Sequence, residues 1–167
     1  MLFTYILVLL IAYSVVHFNV IKEMNLSGLL TKLLVIQSTQ VLNILNQNAT
    51  FTGSKIIIKP HVNKSNSKPS FAMEVQFGCN GIEAMLIYVS AVAAFPSSWK
   101  KKLSGITAGV ILIHIGNVLR IATLGFVGVY YRKFFEYFHV YILQGMMIAF
   151  ALVIFIVYLH YDTSKTS

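Results

Sequence analysis

The sequence predicts an all-α polytopic membrane helix bundle that carries a short extracytoplasmic β-hairpin. The chain has 167 residues, of which 57% are hydrophobic and only 11% are charged, and its mean hydropathy is +0.74. Several apolar stretches reach the roughly 20 residues that a helix needs to cross a bilayer. One segment alternates apolar and polar residues instead, as a half-buried strand does. This composition indicates a single integral membrane domain over residues 1–161, followed by a cytoplasmic tail at 162–167.

Four stretches are predicted as clear transmembrane helices: residues 2–21, 79–98, 103–124 and 139–161. The first has no basic residue before it and no small-residue cleavage site after it, which is typical of a retained anchor rather than a signal peptide. Residues 25–46 are ambiguous, because Lys32 and several Asn and Gln residues interrupt the apolar pattern. This fifth helix either crosses the membrane with a polar face or lies at the interface.

The hairpin is predicted within residues 50–77. Ile56, Ile57 and Ile58 form a β-branched run, and Phe71 begins a second run in which apolar and polar residues alternate. A polar segment with proline at each side separates the runs, which indicates two strands joined by a long loop. Open strand edges are not tolerated in lipid, so the hairpin is expected in water or at the interface.

Basic residues are expected to set the orientation. The net charge is +8, but the Lys and Arg residues are scattered or flank apolar runs, which argues against nucleic-acid binding. Trp99 to Lys102 is predicted to be a short basic loop, which the positive-inside rule places in the cytoplasm. Cys79, Arg120 and His139 are then expected near the extracytoplasmic face of a multi-pass protein of the cell membrane.

The single cysteine, Cys79, excludes an intrachain disulfide and a CxxC metal or redox site. It is therefore either an inert small side chain or a nucleophile. It follows a predicted strand and starts a predicted helix, where backbone N–H groups favour a thiolate. Motifs of metallopeptidases and serine hydrolases are missing, and neither a metal nor a cofactor is expected.

Two polar layers are expected beside Cys79. A charge within an apolar helix is costly unless it is paired or hydrated, so Arg120 is a functional candidate, with snorkelling to the headgroups as the alternative. Asn117 shares its helix face, and Glu83 shares the face of Cys79. Glu83 is expected to pair with Arg120 or to hydrogen-bond Asn117, either in catalysis or as contacts that hold the helices together.

His139 begins the last predicted helix, at the same end as Cys79. A base that titrates near neutral pH is expected to reach the thiol from there. A lone interfacial histidine also occurs as plain surface, so this pattern alone leaves both interpretations open.

These residues resemble a known signature. The chain contains a pattern similar to the Cys, Arg and His signature of the exosortase and archaeosortase family. The pattern consists of Gly78-Cys79-Asn80-Gly81-Ile82, then Asn117-Val118-Leu119-Arg120-Ile121, then His139 before a final apolar helix. The resemblance implies that Cys79 is the nucleophile, His139 the acid and base, and Arg120 the group that stabilises the anion or positions the carbonyl. Asn80, Gly81, Glu83 and Asn117 are the expected supporting residues.

The resemblance also implies a function. Members of the family are expected to cleave membrane protein substrates that carry a C-terminal sorting tail, and to transfer the new carboxyl end to a membrane or surface acceptor, for which a lipid is one candidate. The chain has fewer N-terminal helices than the larger members. The alternative from another class is a non-catalytic membrane assembly or adaptor subunit, in which Arg120 and Glu83 only hold helices together.

Overall fold

The computed structural model describes residues 26–59, 70–75 and 79–164. The predicted helix at residues 2–21, most of the long hairpin loop and residues 165–167 lie outside this part of the chain. Four helices are long enough to label: α1 (Leu26–Ile44), α2 (Ile82–Ala94), α3 (Trp99–Tyr130) and α4 (Leu143–Ser164). Between α3 and α4 the chain forms a 3-10 turn at Arg132–Phe134, a short helix at Phe135–Tyr137 and a π-helical turn at Phe138–Ile142.

Three antiparallel strands follow α1 in the order β1 (Asn48–Thr52), β2 (Lys55–Lys59) and β3 (Phe71–Glu74). The predicted pairing is present, since Ile58 lies opposite Phe71 and Ile56 opposite Met73. β1 was not predicted. It joins β2 through a two-residue turn in which Gly53 has a φ of +61°, a conformation that glycine adopts without strain.

Two helices are long and apolar enough to cross a membrane among the described residues: Trp99–Tyr130 and Leu143–Tyr161. The helix predicted over residues 79–98 is shorter than expected, at 13 residues from Ile82 to Ala94. At about 1.5 Å per residue it extends about 20 Å, less than the roughly 30 Å of a hydrocarbon core. Four clear spans are therefore not seen in the described part of the chain, which is a mostly helical membrane protein with a small sheet.

The prediction that Trp99 to Lys102 form a loop was wrong. These residues are the first turn of α3, and the connection from α2 consists of Phe95, Pro96, Ser97 and Ser98. Lys102 donates from Nζ to the carbonyl of Ala93 at 2.7 Å. The same nitrogen lies 5.6 Å from the centre of the Trp99 ring. These two contacts stabilise a basic helical turn where the charge pattern had indicated a loop.

The residues group into two compact units, and each has its own core. One unit contains Gly81–Gly116 and the chain from Met146, with a core around Tyr88, Val92, Ile113 and Tyr158. The other contains Ser27–Asn80 and Asn117–Gly145. Its core joins α1, the sheet and the C-terminal part of α3 around the fully buried Leu34, Leu42, Ile56 and Ile58. The single-domain assignment stays a prediction.

Candidate active site

Cys79 lies in a bend between the sheet and α2, within the unit that contains the sheet. The sequence had predicted that Cys79 begins the helix. In the structure α2 starts three residues later, so Cys79 precedes it. Its side chain is partly buried against the core of the unit. The neighbouring Asn80 is only 2% exposed. Such packing fixes the backbone of the bend and with it the direction of the thiol.

His139 lies in the π-helical turn that precedes α4. Its ring stacks on Phe135, with ring centres 5.9 Å apart and planes 21° apart. Phe135 in turn meets Phe71 of β3 edge to face at 5.1 Å. The imidazole is thus held by two phenylalanine rings, the first of which lies on the sheet. π-helical turns often occur at functional sites, where they change the direction of one side chain.

The structure brings Cys79 and His139 into direct contact, with 3.0 Å between Sγ and Nε2. Burial lowers the pKa of His139 below its ordinary value, and the positive charge of Arg120 lowers it further, while Glu136 has the opposite effect. The imidazole is therefore mainly neutral near pH 7. A neutral ring nitrogen at this distance can accept the proton of a thiol.

Arg120 and Asn117 are buried on one face of α3, at 6% and 0% exposure. The guanidinium of Arg120 lies close enough to the side chain of Cys79 for the two groups to interact electrostatically. Its Nε has no hydrogen-bond partner. A buried donor without a partner is costly, and next to a nucleophile it is available to an oxygen of a bound substrate.

Asn117 contacts the backbone of the nucleophile. Its Nδ2 donates to the carbonyl oxygen of Cys79 at 3.2 Å, while its Oδ1 has no partner. The same stretch of α3 is tied to α1, because Ser38 donates from Oγ to the carbonyl of Val118 at 3.3 Å. α1, α3 and the bend are thus joined by buried polar contacts around the thiol.

The other two predicted residues, Gly81 and Glu83, belong to the unit that contains α2. Gly81 is the residue before α2 and has a φ of +78°, which explains a glycine at this position. Glu83 is exposed in the first turn of α2. Its pairing with Arg120 or Asn117 stays a prediction.

Sequence reasoning missed Phe71, Phe135 and Ser38. The one available signal was the spacing of Phe135 and His139, which are four residues apart and so share a helical face. Among residues 26–59, 70–75 and 79–164, no cluster of three or more His, Cys, Asp or Glu side chains has the geometry of a metal site.

The fold and the site define a helical membrane protein in which one thiol, one imidazole and one guanidinium meet. The family model of the transmembrane exosortases matches residues 1–159. The chain therefore belongs to the transmembrane exosortase family, which is membrane-embedded, resembles cysteine peptidases and processes membrane proteins. No curated protein and no solved structure gives a significant match.

Proposed function

We propose that this protein is an intramembrane cysteine transpeptidase or protease that cleaves C-terminal sorting signals of exported proteins. The observation that carries the proposal is the 3.0 Å contact between Cys79 Sγ and His139 Nε2, with the charge of Arg120 beside the same side chain. A nucleophile, a base and an anion-stabilising group are the three parts that cysteine peptidase chemistry requires. Family membership supports the same conclusion.

The reaction begins when His139 Nε2 takes the proton of Cys79. The thiolate attacks the carbonyl carbon of the scissile peptide, a C–S bond forms, and the carbonyl electrons move to oxygen. The unpartnered Nε–H of Arg120 donates to this oxyanion. The oxyanion then collapses, the C–N bond breaks, and protonated His139 gives its proton to the leaving amine, which leaves a thioester on Cys79.

The thioester is resolved by a second nucleophile. Water gives hydrolysis, whereas an amine or hydroxyl of an acceptor gives transfer of the new carboxyl end. The incoming oxygen or nitrogen bonds to the thioester carbonyl carbon as His139 takes its proton; the C–S bond then breaks, and protonated His139 returns the proton to the sulfur of Cys79. Asn117 holds the carbonyl of Cys79 throughout and so keeps the sulfur in line with the imidazole.

The proposed substrates carry a short motif, one transmembrane helix and a basic cluster at the C-terminus. The proposed orientation places the lysines at the start of α3 in the cytoplasm and the thiol near the extracytoplasmic face. Residues 2–21 are proposed as a further spanning helix, since their length and composition suit one.

The test is cleavage of a sorting-tail substrate in membranes with matched enzyme levels. Cys79→Ala removes the nucleophile and should abolish cleavage, while insertion in the membrane is retained because little volume is lost and no charge is left unpaired. His139→Ala should reduce turnover by about 10²–10⁴-fold, as loss of an acid–base group commonly does. His160→Ala, an exposed histidine on α4, is the matched control and should cleave normally.

The readout is the ratio of processed to unprocessed substrate. Full processing by Cys79→Ala would remove the nucleophile from the proposal and would favour an assembly or adaptor subunit. If His139→Ala and His160→Ala behave alike, His139 is not the base.

A further inference from the structure

The segment that carries His139 has two different faces. On its inner face Phe135 and His139 are half-buried, and their rings stack on each other. On its outer face Phe134, Tyr137 and Tyr141 are 56%, 57% and 69% exposed. Tyr137 and Tyr141 are four residues apart, and their ring centres lie 5.4 Å from each other. These three exposed side chains form the aromatic face of the segment.

The composition of the aromatic face favours a bilayer surface as its partner. Exposed apolar groups that are contiguous mark interaction sites with proteins or membranes. Tyrosine is enriched at the level of the lipid headgroups, because its ring suits the ends of the acyl chains and its hydroxyl suits water and headgroups. Two of the three residues of the aromatic face are tyrosines.

The aromatic face also lies at the depth of the headgroups. It comes directly before the candidate membrane span of α4, which begins at Leu143. At about 1.5 Å per helical residue, Tyr141 lies about 3 Å and Tyr137 about 9 Å before that span. The headgroup layer extends about 5–8 Å beyond the hydrocarbon core on each side. Tyr141 therefore lies within this layer, and Tyr137 lies at its outer edge.

Two cations precede the aromatic face. Arg132 and Lys133 are exposed, and Lys133 is ten residues before Leu143. At about 15 Å from Leu143, its charge lies within one screening length, about 8–10 Å, of the headgroups. The guanidinium of Arg132 lies 5.8 Å from the centre of the Phe71 ring, a contact that leaves its charge in place. Glu136 is the one acidic residue between Lys133 and Leu143, so the segment has a net positive charge.

We propose that the aromatic face, together with Arg132 and Lys133, binds anionic phospholipids of the leaflet in which α4 begins. The lipid phosphates face the two cations, and the rings lie among the glycerol groups and the first acyl carbons. In the proposed orientation this is the extracytoplasmic leaflet. The bilayer then supports, from the outside, the same segment whose inner face holds His139. Lipid binding at this surface does not depend on the proposed peptidase chemistry.

The test uses the full chain reconstituted in phosphatidylcholine vesicles. Trp99 is the single tryptophan, so Trp99→Phe combined with Tyr141→Trp places the one indole of the chain in the aromatic face. A fraction of the host lipid is replaced by brominated phosphatidylglycerol or by brominated phosphatidylcholine with identical acyl chains, since bromine quenches tryptophan emission at contact. Both lipids should quench, and phosphatidylglycerol should quench more strongly at the same mole fraction. The ratio of the two association constants measures the preference for the anionic lipid.

Lys133→Gln, added to this reporter, should reduce that preference by about twofold to fivefold, up to the value of one basic residue near an anionic surface. Lys55→Gln is the matched control, because Lys55 is an exposed cation of the same unit that already pairs with Glu74 at 3.7 Å. It should leave the preference unchanged. Thr52→Trp in the Trp99→Phe background is the control for depth, and neither brominated lipid should quench it.

Equal quenching of Tyr141→Trp by the two lipids would overturn the inference. So would an equal preference of the Lys133→Gln and Lys55→Gln variants for phosphatidylglycerol. If Tyr141→Trp is quenched no more than Thr52→Trp, the aromatic face lies outside the bilayer, and a protein partner rather than lipid covers it.

Discussion

The pKa of His139 depends on neighbours that act in opposite directions. Burial and the charge of Arg120 keep its pKa below the ordinary value, while Glu136 has the opposite effect. The ring therefore stays neutral to lower pH than a free histidine does. The acidic limb of the pH–rate profile is the range in which kcat/KM falls as the pH falls. This limb is expected to follow the ionisation of His139, because protonated His139 cannot take the thiol proton.

Glu136→Gln should move that limb to lower pH. Removing the carboxylate removes an interaction that favours the imidazolium, so the pKa of His139 falls further and the base stays neutral in more acidic solution. Glu136 is exposed, and the plateau rate should be unchanged. The measurement is kcat/KM for a sorting-tail substrate as a function of pH, which reports the free enzyme.

Glu74→Gln is the control for this shift, since Glu74 is an exposed carboxylate that pairs with Lys55 at 3.7 Å. Its profile should coincide with that of the wild type. A shift of the Glu136→Gln limb to higher pH would contradict the assignment of that limb to His139.

At the residue scale, the sequence predicted the polar residues that the structure places around Cys79 and missed the apolar residues that support them. Arg120 and Asn117 stand out because a charged or amide side chain within an apolar membrane helix is costly unless it has a partner or a function. Phe71 and Phe135 do not stand out, because the chain contains twelve phenylalanines and any of them fits a core. The contact of His139 with Phe135 depends on the π-helical turn, which no residue pattern indicated.

At the element scale, glycines on α3 allow the sheet to approach the helix. Gly125 faces Ile58, Leu42 and Met73, and a side chain at Gly128 would collide with the ring of Phe71. Phe71 also supports Phe135. The close approach of β3 to α3 is therefore connected to the position of His139 through two phenylalanine rings.

Gly128→Ala should destabilise the protein by about 1–3 kcal/mol, as overpacking of a core commonly does. It should also reduce turnover, because a displaced Phe71 moves the rings that hold His139. The measurement is the thermal midpoint in detergent together with kcat. Gly145→Ala is the matched control, since a Cβ there meets nothing within 4 Å and alanine favours the helix. Equal midpoints for the two variants would contradict the packing argument.

The elements were predicted where periodicity was strong and missed where charge or polarity hid it. β2 and β3 were found from β-branched and alternating residues. β1 was missed because Asn48, Thr50 and Thr52 give it little apolar character, and it forms through pairing with β2. The start of α3 was assigned to a loop because its lysines resemble a connection, whereas a helix end facing headgroups accommodates them.

At the scale of the whole molecule, the orientation in the membrane can be tested by labelling. In a Cys79→Ser background, Ser98→Cys should resist a membrane-impermeant thiol reagent in intact cells, because it lies beside the lysines at the start of α3. Thr52→Cys, at the exposed end of β1, should react. Both should react after the cells are opened. Labelling of Ser98→Cys but not of Thr52→Cys in intact cells would reverse the orientation.

The length of α3 has a consequence for where the chemistry takes place. The helix has 32 residues and so extends about 48 Å, well beyond a hydrocarbon core of about 30 Å. If Lys102 marks one edge of that core, Arg120, 18 residues further along α3, lies about 27 Å away, at the opposite edge. The last turns of α3, against which the sheet packs, then stand outside the lipid. If Cys79 acts as proposed, the length of α3 holds the site at the boundary between hydrocarbon and water, where a substrate with one transmembrane helix and a water-borne acceptor can both reach it.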